Sequence, residues 1–238
     1  MKNIIITTSW DDGHALDLKL ARLLSKYGIR GTFYISPERT NGDVLAPPQI
    51  KQLHRMGMEV GSHTLTHPRL TRINNHDQKR EIKESKMLLE NLLNSEITSF
   101  CYPKGDFDNG IVSLVKSSGY LLARTTSSFW TKHTDDHFRL PTSLHFSPRT
   151  FHQLFRHNIK LGNVKGLVSW GIDYGFETDP KLLAEKMMDM LKQKSGVFHL
   201  WGHSWEIEKY NMWGDLEYVF RMMSRVDALF VTNKELIA

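Results

Sequence analysis

Short apolar, β-rich runs alternate with helix-periodic segments along this sequence, and that alternation limits the fold more than any other feature. Ile4-Ile5-Ile6 opens the series, and Leu16, Leu20, Leu23 and Leu24 follow at helical spacing, closed by Tyr27 and Gly28. Thr32 to Ile35 is the next β-rich run. Ile50, Leu53 and Met56 form a helix that begins at Pro47-Pro48 and stops at Gly57, and Glu59 to His63 is a short strand ending in a histidine loop. Asp77 to Asn94 is a clear amphipathic helix, with Ile82, Met87, Leu89 and Leu93 on its apolar face. Thr98 to Tyr102 reads as a strand, Ile111 to Ser118 as a helix and Tyr120 to Thr125 as a strand. Between Ser127 and Gly162 only Phe151 to Leu161 has a helical pattern. Val168 to Asp173 is then expected as a strand, Pro180 to Lys194 as a helix and Val197 to Trp201 as a strand. Gly214 to Met223 and Ala228 to Thr232 supply the last helix and strand. Such a chain builds parallel βαβ units in a closed barrel or an open doubly wound sheet. No linker or repeat divides it, so residues 1–238 are expected to form one domain. In either architecture functional side chains gather just after the strands.

The 238 residues suffice for a substantial core. The formal net charge is +5, yet Lys79-Arg80, Lys83 and Lys86 are interleaved with Glu81, Glu84 and Glu90, which makes a solvated helix face. No basic stripe or nucleic-acid module is present, so no nucleic-acid partner is expected. The single cysteine, Cys101, excludes an internal disulfide framework and a multi-cysteine zinc site, and its apolar neighbours suggest a buried, inert thiol. Residues 1–8 hold only a brief apolar run with no signal-peptide pattern, and no stretch has the length of a membrane span. A cytoplasmic protein without stable membrane insertion is the expectation.

Four stretches carry candidate chemistry, each at a strand end. In Ser9-Trp10-Asp11-Asp12-Gly13 adjacent carboxylates point to opposite sides, so one can bind a metal while the other handles a proton; Asp-Gly is also an ordinary turn signal. His63 and His67, four apart, could join a carboxylate as ligands and leave positions open for water and substrate, although twelve histidines also make such a pair by chance. Phe100-Cys101-Tyr102-Pro103-Lys104-Gly105 contains the proline and glycine of a turn. In the fourth, His203 lies between Trp201 and Trp205 with Glu206 beyond, and it could be a structural hydrogen-bonding residue or a general acid.

In this order the four stretches resemble the motifs of the polysaccharide deacetylases, the NodB-homology group of carbohydrate esterase family 4. Asp11-Asp12-Gly13 matches the family's Thr-Phe-Asp-Asp-Gly with Ser9-Trp10 in place of Thr-Phe, and His63 to His67 matches His-Ser/Thr-x-x-His. Phe100 to Gly105 matches Arg-Pro-Pro-Tyr-Gly in part, and Leu200 to His203 matches Leu-x-Leu-His with Gly202 for the second leucine. The resemblance implies a distorted (β/α)7-type barrel. It implies that Asp12, His63 and His67 hold a divalent metal, usually zinc and in some members cobalt or nickel. It further implies that metal-bound water is the nucleophile, Asp11 the base, the Lys104 N–H an oxyanion donor and His203 the acid. Cys101 stands where the family has an arginine that orients the base. Arg139 is expected to supply that guanidinium, with Arg124 as its competitor. For the acid partner of His203, Asp173 fits the family's order and Glu206 is the rival. Tyr102, Lys104, Trp201 and Trp205 are expected to meet substrate, with Trp130 and Trp170 as further candidates, although single tryptophans also suit a core. His14 is expected to support the acidic pair, and His133, His137, His145, His152 and His157 to be surface or structural residues.

The expected activity is metal-dependent deacetylation of an N-acetylated or O-acetylated sugar or oligosaccharide. One rival is hydrolysis of another non-peptide C–N bond, such as a formamide or cyclic amide, in the same site. The other is a carbohydrate-binding protein with a decayed site.

Overall fold

A computed structural model describes residues 4–237; residues 1–3, part of the stretch read for a leader, and residue 238 lie outside it. In chain order the elements are β1 (Ile4–Asp11), α1 (Asp17–Lys26), β2 (Thr32–Ile35), α2 (Pro47–Arg55), β3 (Glu59–Ser62), α3 (Asn75–Leu93), β4 (Ser99–Cys101), α4 (Asn109–Ser117), β5 (Leu122–Arg124) and β6 (Leu144–His145). They continue as α5 (Phe151–Lys160), α6 (Val164–Ile172), α7 (Pro180–Lys194), β7 (Gly196–Gly202), α8 (Ser204–Lys209), α9 (Trp213–Met223) and β8 (Leu229–Val231). The parallel sheet runs β5-β4-β3-β2-β1-β7-β6. β1 divides one edge between two neighbours: Ile5 to Thr7 pair with β8, and Ser9 to Asp11 pair with β2.

The sheet curls until its ends meet. Leu140 donates its N–H to the Ala123 carbonyl beside β5, and Ser143 donates its N–H to the His199 carbonyl of β7. The segment from 140 to 145 thus joins the two edges, and the architecture is the expected distorted α/β barrel.

The period-two alternation of β1 decides what each side chain meets. Ile6 and Trp10 face the helices, where Trp10 meets Phe220 of α9 edge-on at 6.2 Å. Thr7, Ser9 and Asp11 face the barrel interior, where they meet Asn233, His199 and Arg124 in turn. The interior is polar and hydrogen-bonded, while the apolar core lies mainly between sheet and helices.

The expected strand at Val168 to Asp173 is instead the second half of α6. Its β-branched residues suggested a strand, but Val164, Val168 and Ile172 are spaced by four, a helical period, and the Asn163 side chain caps the helix by accepting from the Gly166 N–H.

Candidate active site

The C-terminal ends of β1, β3, β4, β5 and β7 converge on one cluster. Asp11 ends β1 and Asp12 follows with φ of 85°, a left-handed conformation that turns the two carboxylates apart. The Asp12 oxygens have different surroundings. The Trp205 indole N–H donates to Oδ2 at 2.9 Å, whereas Oδ1 is buried and has no hydrogen-bond donor. His67 Nε2 lies 3.3 Å and His63 Nε2 3.9 Å from that Oδ1, and Arg39 Nη1 pairs with it at 2.7 Å outside hydrogen-bonding geometry.

The histidine loop is built to aim those nitrogens. His63 Nδ1 donates to the Cys101 carbonyl at 2.8 Å, which fixes the tautomer and leaves the Nε2 lone pair facing Asp12. Thr64 and His67 both have positive φ, and Glu81 of α3 holds the loop by accepting from the N–H groups of Leu65 and Thr66 and the Thr66 hydroxyl. Burial pushes the pKa of both histidines down, that of His67 to about 3, so both are neutral at neutral pH. Burial pushes the Asp12 carboxyl up, but His203, His63 and Arg39 outweigh it and keep it ionised. A buried carboxylate oxygen without a donor beside two neutral imidazoles, all ligand atoms lying within 4.8 Å of one another, is a donor set that fits a divalent cation.

Asp11 is held by a different partner. Arg124 Nη2 donates to Asp11 Oδ1, and the Cys101 thiol lies 3.7 Å from Oδ2. Burial pushes the Asp11 carboxyl up, and the Arg124 charge reverses this to leave it below its ordinary value. The guanidinium is fully buried, 4.5 Å from the Trp201 ring centre and 5.3 Å from that of Tyr34. The expectation for Arg139 is therefore corrected. Arg139 sits on an exposed turn, bonded to Asp136 and Asn109, one residue before the Leu140 that reaches β5. Arg124 stands directly opposite Cys101 in the β4–β5 register, so the neighbouring strand delivers the guanidinium that the third motif lacks.

His203 stands at the N-cap position of α8 without a side-chain capping bond, and Glu206 follows in that helix's first turn. The spacing of three brings His203 Nδ1 to 2.7 Å from Glu206 Oε2 and leaves Nε2 facing Asp12 Oδ2 at 3.9 Å. Burial pushes the His203 pKa down, but Glu206, Asp12 and Asp11 together raise it above its ordinary value. Asp173 is corrected as well. It is an exposed residue after α6, where the Ser169 hydroxyl bonds it and Lys194 lies 4.0 Å away.

Among the expected substrate contacts, Tyr102 is fully buried, stacks on Phe107 at 4.4 Å and donates to the Phe138 carbonyl, so it packs the barrel wall. Trp201 is also buried, stacked on His145 at 3.9 Å. Trp205 does line a cavity of about 260 Å³ beside Asp12, together with His14, Arg39, Asn41, Gly42 and Val44. Lys104 is exposed, with φ of 58°. Trp170 is in the core against Phe129.

Three residues escaped sequence reasoning. His145, expected to be a surface or structural residue, is buried and donates to the same Glu206 oxygen as His203, at 2.9 Å. Arg39 borders Asp12 from the loop after β2. Asp17 accepts from the Ser204 hydroxyl at 2.5 Å beneath α8, and burial pushes its carboxyl up to about 8. No local motif marks any of them.

Comparison with known proteins gives a consistent result. The polysaccharide deacetylase family model matches residues 1–123. The polysaccharide deacetylase-like YxkH of Bacillus subtilis is 29% identical over 127 residues, covering 52% of this chain and 45% of its own. Chitin deacetylase 1 of Cryptococcus neoformans is 27% identical over 179 residues, covering 74% of this chain and 33% of its own. The chain thus spans less than half the length of either curated relative. Among solved structures, a family 4 acetyl xylan esterase from Clostridium thermocellum superposes with a TM-score of 0.62 at 14% identity, covering 98% of this chain and 89% of that one, which shows a shared fold.

Proposed function

Because the chain belongs to the polysaccharide deacetylase family, we propose that it hydrolyses the acetyl group from an N-acetylated or O-acetylated saccharide at the Asp12–His63–His67 cluster. The observation that carries this reading is the division of labour at Asp12. Trp205 occupies Oδ2, while Oδ1, which accepts no hydrogen bond, faces two neutral histidine nitrogens and the Arg39 guanidinium. Asp12, His63 and His67 would hold a divalent cation, most simply zinc, with cobalt or nickel suited to the same donors. Such an ion supplies Lewis acidity toward the acyl oxygen and makes water a stronger acid.

The chain's own residues divide the proton transfers. Asp11 accepts the proton of the attacking water; Arg124 keeps it ionised, and Oδ2 carries only the weak thiol contact. The Lys104 N–H donates to the developing oxyanion. His203 gives the Nε2 proton to the leaving nitrogen or oxygen, while Glu206 holds Nδ1 and favours the charged ring. Trp205 positions the sugar in the cavity beside Asp12. The similarity to chitin deacetylase supports an N-acetyl sugar as the first substrate class to try.

The test is product analysis after incubation of zinc-reconstituted and chelator-treated protein with a panel of N-acetylated and O-acetylated oligosaccharides. Metal-dependent acetate release is expected. Formate or ammonia from amide substrates, with no acetate, would move the reaction to the other C–N hydrolases. Saturable sugar binding without any product would make the protein a binding module.

A further inference from the structure

The helix pair α5–α6, inserted between β6 and α7, presents an apolar face to solvent. Phe151, Phe155 and Ile159 recur every four residues along α5, and Val164, Val168 and Ile172 do the same along α6. All six are between 41% and 80% exposed, as is Phe176 just beyond. They are arranged as stripes: Phe151 stacks on Phe155 at 5.9 Å and meets Phe176 at 5.6 Å, above the buried Trp170. The pair is anchored to the barrel through Leu154 and Asn158, which flank the stripe on α5, and through Gly166 and Trp170 on the side of α6 away from its stripe. Scattered exposed apolar residues are ordinary on soluble proteins, but a periodic stripe on each of two adjacent helices marks an interaction surface.

Charge identifies the partner. From Phe146 to Ile172 the sequence contains no aspartate or glutamate, Asp173 at the far end of α6 being the first carboxylate, while Arg156, Lys160 and Lys165 are exposed on the same two helices. We propose that α5 and α6 form a docking face for an anionic lipid bilayer. The helices lie in the headgroup layer, the Phe, Ile and Val stripes enter the acyl boundary, and the basic side chains meet lipid phosphates. A second copy of the chain would bring the same cations against each other. A neutral protein partner would leave the absence of carboxylates without a role. A basic cavity of about 380 Å³, lined by Arg149, Arg156, His157 and Lys160 and reaching Glu206, opens beside this face. Docking therefore sets the His203–Glu206 end of the site next to the lipid surface.

The experiment is co-sedimentation of the full chain with vesicles of phosphatidylcholine alone or mixed with phosphatidylglycerol. The protein should pellet with the mixed vesicles, and added salt should release it. The combined change Phe155→Ser, Ile159→Ser, Val168→Ser and Ile172→Ser should weaken binding roughly tenfold or more, as should Arg156→Glu with Lys160→Glu and Lys165→Glu. Because these side chains are exposed, both variants should melt near the wild-type temperature, and each tests a different half of the face. Equal or absent binding of wild-type protein to the two vesicle types would overturn the proposal. So would a wild-type dimer in sedimentation velocity that the serine variant converts to monomer while vesicle binding is absent, which would assign the face to a second copy.

Discussion

Arg124→Met removes the buried guanidinium that pairs with Asp11. Methionine keeps much of the volume and removes the charge, leaving Asp11, with its side chain 4% exposed, without its guanidinium and beside only the Cys101 thiol and the His63 ring. Breaking a buried pair by removing one partner costs about 3–5 kcal/mol, because the remaining charge is uncompensated. At about 2–4 °C per kcal/mol for a chain of this size, the melting temperature should fall by roughly 6–20 °C. In the wild type the Asp11 pKa is depressed, so its stabilisation is present above the unfolded value and is lost only as pH falls through the folded one. In the variant burial is opposed only by His63 and His203, so that pKa rises from its wild-type position. The stability penalty should then grow as pH rises, and be larger at about pH 8 than at about pH 5. Chemical denaturation at both pH values measures it. If Asp11 is the base, the acidic limb of the pH–rate profile should also move upward. A loss under about 1 kcal/mol, equal at both pH values and with an unmoved acidic limb, would refute the reasoning.

Further outcomes follow from the same geometry. Arg139→Ala, at an exposed turn, should change stability by no more than about 0.5 kcal/mol and leave turnover intact, as urea titration and initial rates would show. Glu206→Gln should lower the His203 pKa and move the basic limb of the pH–rate profile to lower pH, whereas Asp173→Asn should leave it in place. Burial pushes the His199 pKa down to about 3, so the unfolded chain takes up its proton first and stability should fall as pH drops from about 6.5 toward that value. Its share of the slope is about 1.4 kcal/mol per pH unit, and His199→Gln should reduce by that amount the slope of stabilities from urea titrations across the range.

The order of elements was legible because period and punctuation are local: Leu20 and Leu24 share a helix face, and Gly28 and Gly57 end helices by adopting positive φ. The metal-type cluster was legible because Asp12, His63 and His67 lie in two short loops directly after strands. The two misassigned partners depended on long-range register. Arg124 reaches Asp11 because β5 pairs with β4 opposite Cys101, a fact of sheet alignment that no window of sequence contains. Asp173 fits a barrel position only if the preceding run is a strand; because that run is α6, the aspartate lies on the outer surface. Glu206 carried a readable signal, the spacing of three from His203 across a helix start. His145 carried none, since only the pairing of β6 with β7 brings it to Glu206.

The most direct test of the central claim separates metal binding from proton transfer at adjacent carboxylates. Zinc binding by calorimetry and acetate release would be measured on wild type, Asp12→Asn and Asp11→Asn. The account predicts that Asp12→Asn loses both, while Asp11→Asn still binds zinc and loses turnover. Turnover retained in Asp11→Asn, or zinc bound with undiminished affinity by Asp12→Asn, would contradict it.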